Sequence, residues 1–260
     1  MKGKLFTIAL AGLTIGILGS CGKIDDPQQN TPEGELPGEF SVSATKKVHF
    51  SQGNLYYDGS KFYFEVNQYD TPDKGKLSAD HISHFYWSKD YNKAVAQDYS
   101  DSGDESDVFF TNETETTAKS SFTVNVEGAE QAGWRTLSTK EWQYLFDARP
   151  MKNEKARYTL DITYGGIMGL VLYPDDYGKD PLSGTVAVLP EGVVFLPAAG
   201  WRDGSEIGID IGDHGYYWSS SAFYDSTFAF DVYFNLRSVD SDFNDYRNKG
   251  FSVRLVTDVK

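Results

Sequence analysis

Between Phe40 and Asp258 the apolar residues come mostly in short bursts of three to seven, with glycines and acidic turns between them. Bursts of that length suit β-strands, whereas a buried helix needs a periodic stretch of about ten residues or more. Val48–Leu55 (VHFSQGNL) and Lys61–Val66 (KFYFEV) flank Asp58-Gly59, a hairpin-turn signal. Ser120–Val126 alternates, and further strands are expected at Ile167–Tyr173, Val193–Leu196, Tyr216–Trp218, Phe228–Phe234 and Phe251–Val256. One segment is helical. In Ser138–Arg149, Ser138 and Glu141 form a capping box, Trp142, Leu145 and Phe146 mark one face, and Pro150 blocks extension. No internal repeat is present. The expected class is α+β, with a dominant, mostly antiparallel twisted sheet, few helices and long loops.

The N-terminus has a different character. Lys2 and Lys4 precede the apolar run Leu5–Leu18, which is too short and glycine-broken for a membrane span and has the secretory pattern. It ends in Leu18-Gly19-Ser20-Cys21, which resembles the lipobox of bacterial lipoproteins. That resemblance implies cleavage before Cys21 and acylation of its thiol, so residues 1–20 are a signal peptide. Cys21 is the only cysteine and has no disulfide partner within the chain. Residues 21–39 hold Pro27, Pro32 and Pro37 without apolar periodicity, the composition of a flexible tether. The globular domain is expected over 40–260, long enough for one large core. Asp25-Asp26 resembles the export signal of Bacteroidetes surface lipoproteins, although Lys23 and Ile24 depart from it. The expected location is therefore the outer membrane, facing out, with the lipid on Cys21 as membrane partner.

The formal charge is −14, from 24 basic and 38 acidic residues. Nucleic acid is excluded as a partner, because it requires a basic footprint. Adhesion of the domain itself to anionic lipid is disfavoured on the same ground.

Several stretches then resemble, in order, the formylglycine-generating-enzyme-like branch of the C-type lectin fold. Gly133–Tyr144 (GWRTLSTKEWQY) is similar to its Trp-Arg and helix motif. Phe195–Arg202 (FLPAAGWR) and Gly215–Ser221 (GYYWSSS) are similar to its later core strands, and Gly250–Val256 (GFSVRLV) to its last strand. Phe40–Leu55 resembles the opening of Bacteroidetes lipoproteins of this type. The resemblance implies a C-type-lectin-like domain in which Trp142 is core. The enzymes of that branch use cysteines to bind copper, and the single Cys21 cannot supply that chemistry.

Other catalytic patterns are weak, and no catalytic residue or cofactor is expected. His81 and His84 have a spacing that suits metal on a helix, but no glutamate motif accompanies them. Asp213, His214 and Ser219–Ser221 carry triad residue types without a nucleophile elbow. Asp98, Asp101, Asp104, Glu105 and Asp107 miss the EF-hand spacing, so a solvated loop is favoured. The glutamate-proline-asparagine motif of sugar-binding lectins is absent; Leu189-Pro190-Glu191 is not it.

The C-terminal segment Phe223–Lys249 is compositionally biased: 19 of its 27 residues are Phe, Tyr, Asp, Ser or Asn. Tyrosine with serine and asparagine is the composition of recognition surfaces, where rigid rings supply area and small polar groups adapt. Every residue from Phe223 to Asn248 is encodable by a codon ending in C or T. The segment thereby resembles the variable region of diversity-generating-retroelement target proteins, which share the lectin-like fold. An ordinary aromatic hairpin with Phe228, Phe230, Val232 and Phe234 facing the core is the competing reading. The candidate ligand-binding residues are Phe223, Tyr224, Asp225, Asp231, Tyr233, Asn235, Asp240, Asp242, Asn244, Asp245 and Tyr246. The expected function is a lipid-anchored receptor or adhesin for a protein or glycan. An envelope-assembly subunit and an envelope glycan hydrolase are the alternatives.

Overall fold

The computed structural model describes residues 34–88, 94–96, 124–129, 133–152, 155–223 and 227–260. Cys21, the acidic stretch from Asp98 to Glu115, and Tyr224 and Asp225 lie outside the described residues. Short strands dominate, and nearly all pair antiparallel. β1 (Phe40–Ser41), β2 (Lys47–Phe50) and β16 (Val256–Asp258) form one sheet in the order β1-β2-β16. β3 (Leu55–Tyr57) and β4 (Phe62–Phe64) form a hairpin. Asp58 Oδ1 accepts from the backbone N–H groups of Ser60 and Lys61, and Gly59 takes φ +92°, so the turn signal acts where the sequence places it.

β5 (Gly75–Lys76), β10 (Trp201–Asp203), β11 (Glu206–Ile209) and β15 (Lys249–Gly250) make a second sheet, ordered β15-β10-β11-β5. β6 (Tyr158–Tyr164), β7 (Ile167–Leu172), β8 (Gly184–Val186) and β9 (Val194–Pro197) make a third, ordered β8-β6-β7-β9. Its β6–β8 pair is the one parallel ladder among the described strands. β12 (His214–Ala222), β13 (Phe228–Asn235) and β14 (Val239–Tyr246) complete the set as an antiparallel meander.

Strands that separate two cores are apolar on both sides. In β7, Met168, Leu170 and Leu172 enter one core with Trp142, Leu145 and Phe234, while Val171 faces another with Tyr173 and Phe195. A third core gathers Trp87, Trp134, Trp218, Phe251, Val253 and Leu255. The run Phe251–Val256 is largely outside the ladders. It threads between sheets through single bridges, Phe85 with Phe251 and Tyr217 with Ser252.

The helix α1 (Thr139–Gln143) starts at Ser138, whose side chain accepts from the Glu141 N–H while the Glu141 carboxylate accepts from the Ser138 N–H. Tyr144–Ala148 continues as a π-helical turn, ending at Arg149 before Pro150. Trp142, Leu145 and Phe146 are buried as the periodicity requires. Arg135 anchors the motif: its two Nη atoms lie 2.8 Å from the two Glu141 carboxylate oxygens, and Nη2 lies 2.7 Å from Asp258.

One boundary moves. Leu36 is buried, Glu35 bridges Ser51, and the Thr257 hydroxyl donates to Glu35 at 2.7 Å. Glu35 and Leu36, within the segment expected as tether, therefore pack on the domain, because an apolar side chain and backbone partners are available there. Among the described residues no helix is long and apolar enough to cross a membrane.

Candidate functional site

Directly opposed residues of antiparallel strands project to the same side of the sheet. Tyr217 opposes Val232, and Gly215 opposes Phe234; this side carries the core beneath α1. Gly215 permits it, since a Cβ there would lie 2.2 Å from the Phe234 ring. The other side carries Tyr216 opposite Tyr233, His214 opposite Asn235, and Trp218 opposite Asp231, itself opposite Phe243. Its inner part packs on Phe251, 4.3 Å from Trp218 and 4.8 Å from Tyr216 between ring centres. Its outer part is half-exposed.

That outer part closes into a ring of contacts. The Trp201 indole N–H donates to Asp210 at 3.2 Å, and His214 Nδ1 lies 3.7 Å from the same carboxylate. The His214 ring is 5.6 Å from Tyr233, which is 5.3 Å from Phe243 and 5.2 Å from Tyr216. The Lys249 ammonium sits 4.5 Å over the Trp201 ring and 3.2 Å from Asp245. Burial, with Tyr233, Asp210, Asp245 and Asp231 near, pushes the Tyr216 phenol up, so it stays a neutral hydrogen-bonding group.

Asp231 lies beneath this ring, fully buried, and neither carboxylate oxygen has a hydrogen bond. Burial first, and then Asp245 and Asp240, hold its carboxyl well above the usual range, with Lys249 the one opposing charge. A buried carboxylate without a donor is costly, so the neutral, protonated form is favoured at this position.

The eleven sequence candidates divide between two faces. Tyr233, Asn235 and Asp245 lie on the ring side, and Asp240 opposes Tyr233. Phe223, Asn244 and Tyr246 gather on the opposite side, where Phe228 lies 4.4 Å from Tyr246 and Phe223 lies 5.0 Å from Phe230. Asp242 turns to the helix and accepts from Gln143 at 2.8 Å. Asp231 corrects the expectation of a contact residue, since its side chain is covered by the sheet's own rings. Phe228 and Phe230 share a side with Val232 and Phe234, but they lie beyond the core's edge and are half-buried. Trp201, Asp210, Tyr216, Phe243 and Lys249 are further site residues that the sequence does not mark as such. Only the aromatic-acidic mix could have pointed to Phe243.

The other patterns resolve structurally. Ser219 and Ser221 serve the helix start: the Ser221 hydroxyl accepts from the Thr139 N–H, and Ser219 Oγ is 3.1 Å from Thr139 Oγ1. His214 meets Asp210 rather than Asp213. His81 stacks on Tyr56 and lies 2.8 Å from Glu65, while burial and Arg202 pull the fully enclosed His84 down to about 3. Among the described residues no cluster of three or more His, Cys, Asp or Glu has a metal-holding arrangement.

A family model described as a domain of unknown function (DUF8237) matches residues 180–256, which contain every member of the ring. Comparison with curated proteins and with solved structures finds no match.

Proposed function

We propose that this chain is an exported lipoprotein, anchored through Cys21 to the outer membrane, that binds a protein or glycan with the Trp201–Tyr233–Phe243 face of a C-type-lectin-like domain. One observation carries the reading. Tyr216, Tyr233 and Phe243 are partly exposed on one side of the meander, with Trp201 on the neighbouring β10, and Asp210 and the Lys249–Asp245 pair lie beside them. Rigid rings beside adaptable polar groups are the make-up of a recognition surface. Strands of two adjoining sheets hold these rings, so little ordering entropy opposes binding. The ordered succession of the Gly133–Tyr144, Phe195–Arg202, Gly215–Ser221 and Gly250–Val256 motifs supports the lectin-like assignment.

The test compares attachment of the purified chain to bacterial cells, host cells and glycan arrays with that of Tyr233→Ala and Phe243→Ala. Attachment that falls by about tenfold or more in both variants, at unchanged thermal stability, supports the face. Attachment that persists in both removes it. Labelled-palmitate incorporation that survives Cys21→Ser would remove the anchor.

A further inference from the structure

We propose that the ring around Asp231 recognises cationic side chains, lysine or arginine, displayed on an extended peptide segment of a partner protein. The inference rests on the reading of this face as a ligand site and names what it takes.

The chain itself shows how the site holds a cation. The Lys249 ammonium is seated over the Trp201 ring at 4.5 Å and against Asp245 at 3.2 Å, an aromatic-plus-carboxylate arrangement suited to an ammonium or guanidinium. Lys249 does not exhaust the site. Lys249 pairs with Asp245, while the exposed Asp210 lies at the Trp201 indole N–H and His214, and Asp240, also exposed, opposes Tyr233. Asp231 is enclosed by the sheet with both oxygens unbonded, on the side of Tyr216, Tyr233 and Phe243. A second positive charge can be set against Asp245 and the Tyr233 and Phe243 rings, above the neutral Asp231.

The extent of the surface selects a peptide rather than a lone amine. The rings lie on β10, β12, β13 and β14. Adjacent strands are about 4.8 Å apart, so β12 to β14 alone span roughly 10 Å, room for more than one side chain. The net charge of −14 draws such a segment in from a distance.

The experiment measures binding of the purified chain to a labelled peptide of alternating lysine and glycine, its arginine counterpart and its glutamate counterpart. The lysine or arginine peptide is expected to bind and the glutamate peptide not to. Asp245→Asn should weaken binding by about tenfold or more, the usual scale for losing a charged partner. Lys249→Gln should tighten it, because the internal competitor is gone. Glu191→Gln removes the same charge from an exposed position outside the ring and should change binding by less than about twofold. Equal weakening by Glu191→Gln and Asp245→Asn means that the peptide reads net charge alone, and overturns the proposal. Failure of both basic peptides also overturns it. If Tyr233→Ala still abolishes attachment to cells in that case, the face stands and only its cationic specificity falls.

Discussion

Replacing Asp231 with asparagine should stabilise the protein, and by an amount that grows with pH. The side chain is fully buried and neither oxygen is hydrogen-bonded, so its folded-state carboxyl is held well above its unfolded value. The folded chain then keeps a proton that the unfolded chain releases from about pH 4 upward, the ordinary range of an exposed aspartate. With more protons on the folded state, stability falls as pH rises, by about 1.4 kcal/mol per pH unit, until pH passes the raised folded value. Asparagine has nearly the same shape and does not titrate. A protonated acid and an amide face comparable costs for unpaired polar atoms, so the two proteins should be about equally stable near pH 4. Above that the variant should gain by about 1.4 kcal/mol per unit, each kcal/mol worth roughly 2–4 °C in Tm at this size. Urea unfolding followed by tryptophan fluorescence, in steps from about pH 4 to 8, reads this directly. A difference that does not change with pH, or a variant less stable throughout, would show Asp231 ionised and paired, and would refute the argument.

Trp142 is enclosed between Phe50 and Phe146, and Trp142→Ala should cost about 3–5 kcal/mol by the same urea assay. Ser138→Ala removes the hydroxyl half of the capping box and should cost about 1 kcal/mol. Gly200→Ala forces a side chain onto a φ of +66° with its Cβ 2.1 Å from the Ile209 carbonyl oxygen; Trp201 should lose its near-ultraviolet circular dichroism signal or the protein should fail to fold. Glu65 raises the folded-state value of His81, so their pair stabilises fully below about pH 6.5 and is lost as pH rises through the raised value. His81→Phe keeps the stack on Tyr56 and should flatten that part of the Tm-against-pH curve. An unchanged curve would place the titration elsewhere.

The elements legible in the sequence are those whose local chemistry agrees with their final surroundings. Asp58-Gly59 turns, Ser138 and Glu141 cap, and Trp142, Leu145 and Phe146 bury, because each is decided within a few residues. β14 was not legible as a strand of its own. Val239–Tyr246 is VDSDFNDY, a turn-like composition, and it is a strand because β13 offers a ladder and α1 covers part of it. Phe251–Val256 alternates like a strand but spends its hydrogen bonds one bridge at a time, a choice made by distant partners. The ring was hidden for a related reason. Trp201, Asp210 and Lys249 are far from Tyr233 in sequence and meet only when β10 and β15 pair beside the meander. The bias of Phe223–Lys249 located the neighbourhood but could not divide it into two faces, since that division follows from register.

The sheet that joins the chain's ends carries a consequence for timing. β2 is flanked by β1, a few residues away, and by β16, with Phe50 opposite Val256. Glu35 meets Thr257 in the same region. Closing this sheet requires contacts across nearly the whole chain, the slowest kind to form, because loop closure precedes the reward. A nascent chain that emerges from its N-terminus cannot finish the domain until Val256–Asp258 has arrived. Under the export proposed above, this delay keeps the chain unfolded during passage, because Val256–Asp258 must arrive before the β1-β2-β16 sheet closes. A truncation before Val256 should then leave an expanded, protease-sensitive chain rather than a smaller folded one.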